Sequence, residues 1–118
     1  MKTKTIVALI AAAIAALAIA QTPPTYTPAE AAKHVGETAT VTGKVDGFHQ
    51  SGKGNIFLNM GGAYPNQAFT AFIPSGSAAQ FANAQQYEGK TVSVSGKIQL
   101  YKGKPEIIVT SSGQISAQ

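Results

Sequence analysis

One phrase is written twice in this chain, and no other feature constrains its fold as much. Gly36-Glu37-Thr38-Ala39-Thr40-Val41-Thr42-Gly43-Lys44-Val45 recurs 53 residues later as Gly89-Lys90-Thr91-Val92-Ser93-Val94-Ser95-Gly96-Lys97-Ile98. In each copy Ala39, Val41 and Val45, or Val92, Val94 and Ile98, alternate with threonine, serine and lysine. That is the period of a β-strand with one face buried and one wet. Gly43 and Gly96 interrupt the two strands at the same place. A mid-strand glycine weakens a flat sheet but suits a bulge or a sharp bend. Two bent strands of matching design predict one small closed sheet.

The first residues read as a targeting segment. Lys2 and Lys4 precede an apolar run, and Ala18-Ile19-Ala20 offers a small-residue cleavage site before Gln21. The uninterrupted apolar stretch from Ile6 to Ala20 is 15 residues, mostly alanine, short of the ~20 that span a bilayer. Residues 1–20 are therefore predicted to be a signal peptide cleaved after Ala20, and the protein periplasmic or secreted, with no stable membrane insertion afterwards. No cysteine follows the site, which excludes a lipid-modified cysteine at the mature terminus and leaves stability to the core.

Removing 20 residues leaves 98, enough for one small domain. Nine lysines, no arginine and five acids give the full chain a net charge of +4; without Lys2 and Lys4 it is +2. This bias is too mild to imply nucleic acid on charge alone. Residues 21–27, with Pro23-Pro24, read as an extended, poorly ordered leader, and residues 28–118 as the folded domain.

Thr27-Pro28-Ala29-Glu30 is a capping box with proline at the first helical position, predicting a short helix that Gly36 ends. Ala31, Ala32 and Val35 are its expected apolar face, covering one mouth of the barrel. Strands follow over Thr38 to Phe48, Ile56 to Met60 and Phe69 to Ile73, separated by a glycine-rich loop from His49 to Asn55 and a turn over Ala63 to Gln67. Ser77-Ala78-Ala79-Gln80 predicts a second capped helix up to Gly89. A fourth strand over Thr91 to Tyr101 turns at Lys102-Gly103-Lys104 into a fifth over Pro105 to Thr110, and the tail is expected to fray after Ile115.

Three strands, a helix, then two strands, with a long first strand bent at glycine, resembles the OB-fold, a five-stranded Greek-key barrel that binds oligonucleotides and oligosaccharides. Val41-Thr42-Gly43-Lys44-Val45, Phe57-Leu58-Asn59-Met60-Gly61-Gly62, Tyr64-Pro65-Asn66-Gln67 with Phe69-Thr70, and Gly89 to Ile98 with Tyr101-Lys102-Gly103-Lys104-Pro105-Glu106-Ile107 are similar to small exported bacterial OB-fold proteins of nucleic-acid-binding type. The resemblance runs from Pro28 to Ile115. It implies an all-β barrel with a helix between the third and fourth strands and a short N-terminal helix. It fixes the fold and leaves the ligand open.

The resemblance implies a ligand platform on the exposed face of the second and third strands, flanked by the first-to-second and fourth-to-fifth strand loops. With Ile56, Leu58 and Met60 inward, Phe57 and Asn59 point outward, as do Thr70 and Phe72. The candidate ligand-binding residues are Lys44, Lys53, Phe57, Phe72, Tyr101, Lys102 and Lys104, aromatic surfaces interleaved with ammonium groups. Phe57 and Phe72 could equally pack beneath the first helix or a loop, and Lys102-Gly103-Lys104 could be an ordinary solubilising turn. The expected partner is single-stranded nucleic acid, held without catalysis and without sequence preference by a monomer. The alternative is an envelope protein, glycan or small ligand on the same groove.

Enzymatic readings find little support. Staphylococcal-type nucleases share the barrel but use arginines and a calcium-holding carboxylate cluster; this chain has no arginine, and Glu30, Glu37, Asp46, Glu88 and Glu106 are scattered. His34 and His49 have no serine motif around them, and His34 suits the C-terminal end of the first helix. Asp46 with His49 makes an incomplete metal site. Gly52-Lys53-Gly54 lacks the rest of a phosphate loop. No cofactor or metal is predicted.

Overall fold

The two copies of the repeated phrase lie side by side. The computed structural model describes residues 22–118, and the predicted signal peptide lies outside them. Strands β1 (Thr25–Tyr26) and β2 (Thr38–Gln50) are followed by β3 (Ile56–Met60), β4 (Phe69–Ile73), β5 (Thr91–Lys97), β6 (Gln99–Tyr101), β7 (Lys104–Ile108) and β8 (Ile115–Ala117). β2 and β5 pair antiparallel from Thr38↔Lys97 to Lys44↔Thr91. Ala39, Val41, Val45, Val92, Val94 and Ile98 are all fully buried. On the opposite face the Thr40 and Ser95 hydroxyls meet at 2.9 Å and those of Thr42 and Ser93 at 2.8 Å.

The hydrogen-bonded order is β6-β7-β4-β3-β2-β5-β8, with β1 beside β2. The predicted five strands are all present, as β2, β3, β4, the pair β5 and β6, and β7. β4 and β7 run parallel, whereas β2–β3, β3–β4, β2–β5 and β6–β7 are antiparallel. Two expectations need correction. The sheet has eight strands and is an open path, not a closed five-stranded ring: β1 and β8 add to the predicted five, and the predicted fourth strand divides at Ile98. There the Ile98 N–H donates to Glu37 O at 2.9 Å and its carbonyl accepts from Gly36 N at 2.8 Å, so the backbone turns to the start of β2 before running on to β7.

Both glycines of the repeat admit a neighbour at close range. A Cβ on Gly96 would lie 2.7 Å from Ile107 Cγ2, and one on Gly43 2.5 Å from Pro28 Cγ. The bulge itself falls later in β2, between Val45 and Gly47. Asp46 is the extra residue, and its carboxylate accepts from Gly62 N at 2.7 Å. One added residue exchanges the two faces of a strand. Beyond it Gly47 and His49 share the face of Asn59 and Phe57, their register partners.

The helices are shorter and tighter than expected. Thr27 and Glu30 do form a reciprocal capping box, on a 3₁₀ helix over Pro28–Lys33, where Ala31 alone is buried and Ala32 and Val35 are exposed. Between β4 and β5 stand two 3₁₀ helices, Ser75–Phe81 and Ala84–Tyr87. The first is preceded by Pro74, and no Ser77 cap forms, since proline ends β4 and the turn begins at once. Both ends of the described segment are tied down. Thr40 N donates to Pro24 O at 2.9 Å, and β1 pairs parallel with β2, so the leader is extended but paired. β8 pairs with β5 past Ile115, held by Gln114, whose Nε2 donates to Ser95 O and Ile108 O, both at 3.0 Å.

His34 does more than end a helix. Its ring stacks on Tyr26 with centroids 3.8 Å apart, and its Nδ1 lies 2.7 Å from Glu37 Oε2. Tyr26 OH donates to Glu37 Oε1 at 2.7 Å. The two hydrogen bonds hold the Glu37 carboxyl below the usual carboxylate range, Tyr26's first.

Candidate functional site

β3 alternates as its sequence predicts, with Ile56, Leu58 and Met60 buried and Phe57 and Asn59 on the other side. β4 matches it, burying Phe69, Ala71 and Ile73 and turning Thr70 and Phe72 outward. Cross-strand register arranges these outward residues in two rows. His49, Phe57, Phe72 and Ile108 form one, across β2, β3, β4 and β7. Gly47, Asn59, Thr70 and Glu106 form the next. In the first row the Phe57 ring lies 5.2 Å from that of Phe72 and 5.8 Å from that of His49, tilted against both. Edge-to-face and tilted contacts of this kind favour aromatic pairing.

A groove of about 750 Å³ lies over these rows. Phe57, Phe48 and His49 line one side, Tyr101, Lys102 and Lys104 of the β6–β7 turn another, and Tyr64, Pro65 and Gln67 of the β3–β4 loop a third. The volume falls within the range of small-ligand sites. Tyr64 is 75% exposed and Tyr101 55%, so both rings stand free at the rim. Lys102 takes a positive φ of 50°, and its ammonium lies 5.3 Å from the Tyr101 ring centroid, within cation–π range.

The floor is polar. Gln67 Nε2 donates to Thr70 Oγ1 at 3.5 Å, and Thr70 Oγ1 donates to Asn59 Oδ1 at 3.0 Å. All three side chains are buried, although strand periodicity alone would leave Asn59 and Thr70 wet. The β3–β4 loop covers them, and Lys104 holds that loop in place. Its Nζ donates to Pro65 O at 2.8 Å and to Gln67 O at 3.0 Å. Glu106 stands beside Thr70 across the β4–β7 ladder, and burial pushes its carboxyl above the usual glutamate range.

The predicted site residues are therefore only partly assembled. Phe57, Tyr101, Lys102 and Lys104 line the groove. Phe72 supports Phe57 from the side and does not line it. Phe57 and Phe72 are both half-buried, packed on one another on the outer face. Lys44 pairs with Thr91 on the β2–β5 face, and Lys53 stands exposed in the β2–β3 loop; neither borders the groove. Lys104 acts first as a clasp on the β3–β4 loop.

Sequence reasoning missed Phe48, His49, Tyr64, Gln67 and Glu106 as lining residues. The bulge turns His49 toward Phe57, and no period announces a bulge. The other signal lay in the chain: Tyr64-Pro65-Asn66-Gln67 places an aromatic and an amide between two strands whose outward faces are already aromatic and amide-bearing. Asp46 is engaged with Gly62 and stands apart from any metal cluster. Among the described residues no group of three or more His, Cys, Asp or Glu could hold a metal ion. Among the same residues no helix is long and apolar enough to cross a membrane.

Comparison with models of protein families and with curated proteins finds no match. Solved structures do match. An OBody bound to hen egg-white lysozyme is similar at 18% identity and TM-score 0.60, over 83% of this chain and 96% of that one. Asparaginyl-tRNA synthetase from Entamoeba histolytica, in complex with asparaginyl-adenylate, is similar at 17% identity and TM-score 0.53, over 81% of this chain but 24% of its own. Aspartyl-tRNA synthetase from the same organism gives 18%, 0.52, 78% and 21%. The chain thus spans under a quarter of either synthetase. At these identities the likeness bears on fold alone, and with the strand order it makes this an OB-fold-like β-protein with short 3₁₀ helices.

Proposed function

We propose that this protein is an exported, non-catalytic binding protein that holds single-stranded nucleic acid in the groove over β3 and β4. One observation carries the reading: free and half-buried aromatic rings, Phe57, Tyr64 and Tyr101, surround a single groove with the Lys102 ammonium at its rim. Bases stack on such rings whatever their identity, contributing about 1–3 kcal/mol each. Lys102 meets a phosphate, with Lys53 within the reach of a longer strand. The chain has no arginine, so bidentate guanidinium contacts are absent and binding is weak, salt-sensitive and mostly blind to sequence.

The test is fluorescence anisotropy of labelled single-stranded oligonucleotides at two salt concentrations, on the mature chain and on Phe57→Ala and Lys102→Ala. Affinity should fall steeply with salt and in both variants. Equal retention at low and high salt would sink the electrostatic half of the proposal. A second reading, an envelope protein or glycan as partner, is favoured by Leu100, exposed at 58% next to Tyr101 on β6, since contiguous exposed apolar side chains mark association surfaces. No binding of any oligonucleotide at low salt would move the function to such a partner.

A further inference from the structure

The β3–β4 loop is a closed arch. Asn66 N donates to Ala63 O at 2.8 Å across Tyr64 and Pro65, and at the foot Ala68 N is shared between Met60 O at 3.0 Å and Gly61 O at 3.1 Å. Gly62 takes a φ of 119° and lies so close beneath the arch that a Cβ there would meet Asn66 O at 2.8 Å. Tyr64 rides on this backbone. Its ring is exposed and does not belong to the side chains packed on the core, so its place in the wall of the groove is set by the main chain beneath it.

Two charged side chains fasten that main chain from either flank. The strand order β7-β4-β3-β2 puts β7 beside one leg of the arch and β2 beside the other. From β2, the bulge residue Asp46 accepts from Gly62 N at 2.7 Å. From β7, Lys104 Nζ donates to Pro65 O at 2.8 Å and to Gln67 O at 3.0 Å. Bonds of this kind, with one partner ionised, are the stronger ones. Neither charge is paired with another: among the described residues the only ion pair is His34 with Glu37. The Lys104 ammonium is spent on carbonyls, and a carboxylate next to Gly47, which lines the groove, can only repel a phosphate.

Resting on the nucleic-acid reading, we infer that Asp46 and Lys104 are positioning residues that pin the β3–β4 arch from opposite flanks, so that Tyr64 meets the bound strand as a preset stacking wall. Neither acts by touching the strand. A ring already held in its bound place loses less freedom on binding, whereas a loop that the ligand must order subtracts that ordering from the affinity. Two residues of opposite charge therefore act on affinity with the same sign, because both act through Tyr64. Charge alone would give them opposite signs: loss of an acid would tighten a phosphate strand and loss of a lysine would weaken it.

The experiment titrates labelled oligothymidylate of about ten nucleotides against the unmodified protein, Asp46→Ala, Asp46→Asn and Lys104→Met, each also in a Tyr64→Ala background. Tyr64→Ala should weaken binding about tenfold. Asp46→Ala and Lys104→Met should each weaken it by about threefold to fivefold. Asp46→Asn loses the charge but keeps an acceptor for Gly62 N, and should stay within about twofold of the unmodified protein. In the Tyr64→Ala background the clasp variants should change affinity by less than about twofold. Amide exchange at Asn66 and Ala68 should quicken in Asp46→Ala and Lys104→Met while that of Leu58 and Val94 holds, and Lys104→Met keeps the test open if Asp46→Ala disturbs the bulge. Tighter binding by Asp46→Ala, losses that add in full to that of Tyr64→Ala, or unchanged exchange at the arch would overturn the inference and leave strand binding standing. Failure of the unmodified protein to bind any strand is the separate result that would overturn the nucleic-acid reading, and the role of Tyr64 with it.

Discussion

The outer faces of β2–β5 and of β3–β4 obey the same alternation and end in opposite chemical states. On the first, Thr40 with Ser95 and Thr42 with Ser93 spend their hydroxyls on each other, and Gln118 Nε2 adds a bond to Ser93 at 3.1 Å. Small side chains satisfied in pairs leave nothing for a ligand. On the second, the outward residues are Phe57, Phe72, Asn59 and Thr70, large rings and a relay begun by Gln67, whose own Oε1 has no partner among the described residues. The difference teaches that amphipathic periodicity builds the scaffold, and that a candidate site gathers where outward groups are bulky or unspent.

The largest expected effect breaks the seam that joins the two faces. Gly96→Ala sets a Cβ 2.7 Å from Ile107 Cγ2 and 3.2 Å from Gln114 Nε2, where β5 crosses β7. Overpacking of this kind costs about 1–3 kcal/mol, visible as a lower urea midpoint at unchanged slope. Next in size is the contrast itself. Phe57→Ala should weaken strand binding by about 1–3 kcal/mol, whereas Thr42→Val, on the satisfied face, should leave binding unchanged and cost about 1 kcal/mol of stability. Equal losses of binding in the two variants would erase the distinction between the faces. Smaller again is Lys102→Ala, which should reduce the logarithmic salt dependence of binding by about one charge and affect all strands alike.

The scaffold was legible because its strands follow period two almost without exception. All six apolar positions of the repeated phrase are buried, and the Thr27 to Glu30 capping box forms as written. What sequence could not supply is phase and cover. The bulge at Asp46 reverses which residues of β2 face the groove, and depends on a bond to Gly62 sixteen positions away. Burial of Asn59 and Thr70 depends on a loop without periodicity, held by a lysine 37 positions from Gln67. Ile98 belongs to the repeat by pattern, yet its backbone bonds divide the fourth strand. The site was therefore half visible: its rings and its turn could be named, while its floor required the fold.

The smallest effect separates the two regions by pH. Glu37 titrates below the ordinary glutamate value of 4.5, held there first by the Tyr26 hydroxyl and then by His34, and Glu30 is lowered by its capping bonds to Thr27. A lowered pKa in the folded state means stability that is present above pH 4.5 and is lost as pH falls through the folded value. Glu106 has the opposite sign: burial raises it, so the stability associated with its protonated form is present below about pH 4.5 and is lost as pH rises through the folded value. Glu37→Gln should accordingly lower the melting temperature at pH 7 and flatten the decline between pH 5 and 3. Glu106→Gln should raise the melting temperature at pH 7 and converge on the unmodified protein at pH 3. Glu37 is exposed and Glu106 half-buried, and their opposite signs are what a pair of melting curves must show. Variants that move the curve in the same direction would mean that the Glu106 carboxylate meets solvent as freely as Glu37, and that the floor of the groove is wetter than its geometry implies.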